Sequence, residues 1–206
     1  VKRSEIPHNL PLGKGEVPAP PLEKGDEGGF ERFYMMSAAY AKKGEVTKGT
    51  YALVLHLDAE TDVCVGRLGV CRFPPGYYIY VGSARGGLRQ RLARHLKTGK
   101  KLRWHIDYLR EHAEAVEVWY VVSAERLECR WRDIVAALPS AGPAIRGFGS
   151  SDCRCRSHLV YFRSMPDFTV FTAHYHLASN LYSPKGIAAT HHSSNGGLLG
   201  VCRIWE

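Results

Sequence analysis

The sequence predicts an α+β fold, a small antiparallel or mixed β-sheet flanked by helices. Three observations predict it. Tyr51–Leu57 is a short apolar run, and Tyr77–Gly82, after Pro74-Pro75-Gly76, is an aromatic and β-branched one, as strands are. Leu88, Leu92 and Leu96 recur every fourth residue, which is helical spacing. The 206-residue chain is 45% apolar and 23% charged, the balance of a globular chain long enough for one ordinary domain or a smaller one with tails.

Taken in order, residues 1–45 carry five of the eleven prolines and no sustained periodicity, and read as a flexible leader. Pro11-Leu12-Gly13-Lys14-Gly15-Glu16 echoes in Pro21-Leu22-Glu23-Lys24-Gly25-Asp26, too few copies for a repeat architecture. Met35-Met36 stand just ahead of the patterned region and are the expected start of the functional product. From Gly49 the pattern changes. Tyr51–Leu57 and Asp62–Val70, separated by the polar Asp58-Ala59-Glu60-Thr61, read as a hairpin. Pro74-Pro75-Gly76 breaks the chain before the Tyr77–Gly82 strand, and the Ser83–Gly87 turn leads into the leucine-striped helix. A second helix is expected over about Arg103–His112 and a strand over Ala115–Ser123. A third helix over Leu127–Leu138 is striped by Leu127, Trp131, Ile134, Val135 and Leu138 and stopped by Pro139. The end of Cys153–Arg163 looks strand-like. The compact unit is thus expected at residues 46–163, with an unassigned tail at 164–206.

The net charge of +8 is unevenly placed. Between Val63 and Ile106 there is no acid but ten Lys and Arg residues, so the remainder of the chain is slightly acidic. A concentrated cationic segment is a footprint for a polyanion, nucleic acid first. Arg85, Arg89, Arg94, Lys97, Lys100, Lys101 and Arg103 are the expected phosphate contacts. No apolar run approaches the ~18–20 residues of a membrane span, so no membrane partner is expected. Six cysteines are too few for a disulfide scaffold at this length, and reduced thiols in a cytoplasm are expected.

Gly49-Thr50-Tyr51 opens the first strand and Tyr80-Val81-Gly82 closes the third. Arg91 and His95 follow on one helix and Glu128 on a later one. This ordered set resembles the GIY-YIG superfamily over roughly Gly49–Phe162. The segment Gly147–Leu159, with Trp104-His105-Ile106-Asp107, resembles one branch of it, the Uri-type endonucleases of domain-of-unknown-function 123. The superfamily includes intron-homing endonucleases, some restriction enzymes and the nuclease subunit of bacterial nucleotide-excision repair. The resemblance implies a divalent-metal-dependent endonuclease acting on DNA, branched or damaged DNA and a repair role included. Tyr51, Tyr80, Arg91, His95 and His105 would be catalytic, and Glu128 would hold Mg²⁺ or Mn²⁺. In the family a motif tyrosine is the proposed base; the residues leave Tyr51 and Tyr80 open, with a lean to Tyr80. The stretch between the motif halves is longer than usual, and the family's late asparagine has no clear match.

The residues agree with that implication. Hydrolysing a phosphodiester needs a base for water, cations for phosphoryl oxygens and help for the leaving oxyanion. On the first helix His95 lies ~60° and Arg91 ~100° from the Leu92 stripe, at the border of core and solvent, while Arg94 and Lys97 point away. On the third helix Glu128 lies ~80° from the stripe and Glu125 ~140°, which selects Glu128 as the metal ligand. A single carboxylate suffices for Mg²⁺ completed by water and phosphate. The cations are expected to favour a phenolate. Cys153, Cys155 and His158, with Cys129 as a fourth, carry zinc-type donors, but a Cys-x-Cys pair chelates poorly unless its turn is tight. Zinc is therefore not expected, and reduced cysteines lining the domain edge are. The rival function is a catalytically weak nucleic-acid-binding module on the same scaffold.

Overall fold

The computed structural model describes residues 47–97, 99–143, 145–181 and 199–203. The expected leader lies outside them. The strands are β1 (Gly49–Leu57), β2 (Thr61–Cys64), β3 (Val70–Phe73), β4 (Gly76–Ala84), β5 (Glu114–Val122), β6 (Ala141–Gly142), β7 (Leu159–Phe162) and β8 (Leu199–Arg203). The helices are α1 (Leu88–Leu96), α2 (His105–Arg110), α3 (Glu128–Ala136) and α4 (Phe168–Leu181). Six strands form one antiparallel sheet in the order β6-β7-β4-β1-β5-β8, and β2 with β3 forms a separate ribbon. The fold is α+β, as the residue pattern indicates.

β1 lies between β4 and β5, and its run of apolar residues is continuous because both of its faces are buried. Tyr51, Leu53, Leu55 and Leu57 pack into a core with Leu88 and Leu92 of α1 and Ile106 and Leu109 of α2. Ala52 and Val54 join the opposite core with Trp131, Ile134 and Val135 of α3 and Phe171 of α4. The full Leu127–Leu138 stripe is buried there. On β5, Val118 and Tyr120 face the first core while Trp119 and Val121 face the second. Buried Glu117 sits on that strand because it accepts a 2.8 Å hydrogen bond from Trp119 Nε1.

Two expectations change. β2 pairs with β3 rather than with β1, since Gly66, at φ 48°, and Gly69, at φ 73°, turn the Asp62–Val70 run back on itself around a 3-10 turn at Gly66–Leu68. This ribbon is the extra length between the two motif halves. The chain beyond residue 163 also contributes to the fold: α4 places Phe171 against Trp119 and Trp131, with ring centroids 5.1 and 4.8 Å away, and β8 pairs with β5. The charge-poor composition of Phe168–Leu181 suits a helix whose aromatic face is covered. Phe171→Ala is expected to cost about 3–5 kcal/mol, and ending the chain at residue 163 to cost more. Urea unfolding reads both, and an unchanged midpoint would show that α4 only rests on the sheet.

Candidate active site

Strand pairing brings the motif halves together. In the β1–β4 register Tyr51 lies opposite Gly82 and Leu53 opposite Tyr80. A Cβ at Gly82 would sit 2.6 Å from Tyr51 Cζ, so glycine is what lets the Tyr51 ring cross the neighbouring strand. The Tyr51 and Tyr80 rings lie 6.5 Å apart, and the His95 ring is 5.4 and 6.2 Å from them. Gly149, at φ 72°, does for Tyr80 what Gly82 does for Tyr51, since its Cβ would meet the Tyr80 ring at 2.7 Å.

Tyr51, Tyr80, Arg91, His105 and Glu128 all line one cleft of about 850 Å³. Its cations are Arg67, Arg85, Arg91, Arg103 and Arg126, against the carboxylates of Glu128 and Asp152. The cleft is therefore cationic overall. Arg91 stacks its guanidinium 4.4 Å from the centroid of Trp104, which aims a long side chain without a salt bridge. His105 Nδ1 accepts a 3.0 Å hydrogen bond from the Gly149 amide, so the neutral ring carries its proton on Nε2. Burial lowers the His105 pKa, with the Gly147 carbonyl pulling the other way.

His95 is further in than the helical wheel placed it. It is 1% exposed, because Trp104 and the basic loop fold back over α1 and turn a border position into an interior one. Its Nε2 lies 2.7 Å from Tyr51 Oη, and its Nδ1 lies 4.0 Å from Asp107 Oδ1. Burial, then Lys100, push its pKa down to about 3, so the ring is neutral near pH 7. His95 Nδ1 makes no hydrogen bond, and the carboxylate 4.0 Å from it favours the neutral tautomer with the proton on Nδ1, in which Nε2 accepts from Tyr51. Burial also raises the pKa of both Tyr51 and Tyr80, with Arg91 only partly opposing it. The cations nearby thus do not offset desolvation, contrary to the expectation of a readily formed phenolate.

Glu128 opens α3 and reaches the cleft, whereas Glu125 is exposed in the turn before it. Burial would raise the Glu128 pKa, but the hydrogen bond and charge of His158, with help from Ser83 and Arg126, hold it below the usual carboxylate range. His158 Nδ1 lies 3.0 Å from Glu128 Oε1. An ionised carboxylate at the rim of an open, wet cleft is a donor suited to a hard divalent cation that keeps most of its waters.

Two expected phosphate contacts have other work. Arg94 Nη2 binds the buried Asp107 at 2.7 Å, and Lys100, whose side chain is 4% exposed, lies 3.5 Å from the same carboxylate. Of the other five, Arg85 and Arg103 line the cleft, while Arg89, Lys97 and Lys101 are exposed outside it. Arg126, Asp152 and Trp104 are cleft residues that the sequence reading did not nominate, and neither was Arg67, though it belongs to the acid-free stretch. Arg126 had a usable signal in standing two residues before Glu128. Asp152 had none. On the far side of Glu128, Cys153, Cys155 and His158 converge with Cys129.

A family model described as "Domain of unknown function DUF123" matches residues 50–180. The chain belongs to this family. The match reaches through most of α4, in keeping with the packing of that helix onto the sheet. No curated protein and no solved structure matches the chain.

Asp107→Asn is expected to cost about 3–5 kcal/mol by leaving Arg94 and Lys100 near a neutral amide. The depressed pKa of His95 gives a second expectation. Its contribution is complete above the unfolded value of ~6.5 and is lost as pH falls toward 3. The urea midpoint should therefore decline below about pH 6.5, and His95→Gln should flatten that decline. Equal pH dependence in parent and variant would place His95 in water.

Proposed function

We propose that this protein is a divalent-metal-dependent endonuclease that hydrolyses phosphodiester bonds in DNA. The observation that carries the reading is the convergence of Tyr51, Arg91, His105 and Glu128 on one cationic cleft. Arg67, Arg85, Arg103 and Arg126 suit backbone phosphates, and Arg91, fixed by Trp104, suits the phosphoryl oxygens that gain charge as the bond breaks. Tyr51 is favoured over Tyr80 for proton transfer, because His95 Nε2, 2.7 Å away, orients its hydroxyl. His105, with its proton on Nε2, can donate toward the departing oxygen. Glu128 would hold the metal, with Asp152 available in the same cleft. Mg²⁺ or Mn²⁺ bound there supplies charge stabilisation for the phosphoryl group and the leaving oxyanion.

The test is single-turnover cleavage of branched, flapped, single-stranded and duplex DNA, with Mg²⁺ or Mn²⁺ and with chelator. Cleavage is expected only with metal. Glu128→Gln should abolish it while leaving binding intact or tighter, and Glu125→Gln should change little. Arg91→Ala is expected to lose 10²–10³-fold in rate, about 2.7–4 kcal/mol. Tyr51→Phe should lose more than Tyr80→Phe. Binding of DNA without cleavage by the parent would instead identify a nucleic-acid-binding module.

Affinity should fall steeply with salt. Arg85→Ala and Arg103→Ala should each lower the slope of log affinity against log salt by about one for duplex DNA. Arg94→Ala should act mainly on the urea midpoint. An affinity indifferent to salt would remove the cleft from the binding surface.

A further inference from the structure

The loop from Gly147 to His158 forms part of the cleft wall yet has no helix or strand of its own. A few backbone bonds hold it, among them Gly147 N–H to the Arg156 carbonyl at 2.8 Å and His158 N–H to the Phe148 carbonyl at 2.7 Å. At its end Cys153, Cys155 and His158 meet Cys129 from the first turn of α3, and the four donor atoms all lie within 4.8 Å of one another. None of these three cysteines is in a disulfide.

We propose that Cys129, Cys153, Cys155 and His158 form a zinc site that ties the cleft loop to the head of α3. Tetrahedral zinc, with Zn–S near 2.3 Å and Zn–N near 2.0–2.1 Å, separates its donors by about 3.6–3.8 Å. The observed cluster needs to close by only ~1 Å at most to reach that spacing. The Cys-x-Cys turn is thus tight enough to chelate, and Cys129 supplies the fourth donor from another element, so the ion acts as a cross-link. Three thiolates and an imidazole are the donor set of a closed, four-coordinate site.

An independent observation fixes the imidazole. His158 Nδ1 lies 3.0 Å from Glu128 Oε1, and its Nε2 lies 3.2 Å from Cys153 Sγ. With the Nδ1 proton donated to the carboxylate, the Nε2 lone pair faces the thiols. This carboxylate–histidine arrangement is how metal-binding histidines are oriented. Glu128 is thereby held from behind by the zinc ligand while it faces the cleft. The zinc site rests on the donor cluster alone and not on the nuclease reading.

The experiment is metal analysis of the full chain, purified under reducing conditions without chelator from zinc-supplemented cells. About one zinc per chain is expected. Cobalt exchanged into the site should show the visible bands of tetrahedral Co²⁺ and thiolate-to-cobalt charge transfer in the near ultraviolet. Cys153→Ser and Cys155→Ser should lose metal, while Cys64→Ser, an exposed cysteine on β2, should keep it. If the first two variants do not fold, zinc release from the parent on thiol modification, followed with a colorimetric chelator, gives the same answer. Glu128→Gln should weaken zinc about 10–100-fold as an outer partner of His158. Folded, fully reduced protein that takes up neither zinc nor cobalt overturns the proposal, and zinc affinity unchanged in Glu128→Gln overturns the link to Glu128. These readouts do not involve DNA, so zinc can fail while cleavage survives, and the reverse.

Discussion

The buried carboxylate of Asp107 is the interaction on which the cleft side of this molecule depends. It is fully enclosed, yet it accepts from the backbone amides of Arg103 and Trp104 at 2.9 and 3.1 Å and from Arg94 at 2.7 Å, with Lys100 3.5 Å away. A charge in that position is tolerable only when paired and hydrogen-bonded; here Oδ2 takes the hydrogen bonds, while Oδ1 has no hydrogen bond and faces Lys100 at 3.5 Å. One side chain therefore ties α1, the basic loop and α2 into a single unit. It also sets Trp104, onto which Arg91 and Arg94 stack at 4.4 and 4.5 Å from the ring centroid. His95 is enclosed as a consequence, and so is its bond to Tyr51.

The sequence made the sheet and the motif legible for a clear reason. Strand runs and the Leu127–Leu138 stripe report burial, and burial is what a single sequence records best. The choice of Glu128 over Glu125 as the cleft residue followed from angle alone. The assignment of the Asp62–Val70 run failed because one continuous apolar segment conceals a glycine-driven reversal at Gly66 and Gly69. α4 is hard to read from sequence because its aromatic residues Phe168, Phe171 and Tyr175 cover the outside of a core built by α3 and the sheet. That role appears only once Trp119 and Trp131 are placed.

Charges were harder to read than burial. Ten cations in one acid-free stretch look alike in sequence, but the structure divides them by a residue just outside it, Asp107. Arg94 and Lys100 are drawn inward to that carboxylate, whereas Arg67, Arg85, Arg91 and Arg103 are left facing the cleft. The helical wheel likewise sets His95 at the border of core and solvent. It could not anticipate that Trp104 would return to cover it. Tertiary closure thus converts a half-exposed histidine into a neutral hydrogen-bond acceptor.

The same logic separates the two acids that matter. Asp107 has its charge consumed by neighbouring cations and amides, so it organises structure. Glu128 is held ionised by His158, Ser83 and Arg126 against the cost of burial, yet it remains on the cleft wall. A carboxylate kept anionic from behind while its front stays wet can exchange water for a cation without first losing a proton. The partners that confer this come from the turn just before α3, the end of β4 and the loop before β7, which the fold brings together. Gly82 and Gly149 perform the corresponding service for the tyrosines by leaving room for rings that a Cβ would displace. The cleft is therefore shaped as much by what these glycines omit as by the charged groups that line it.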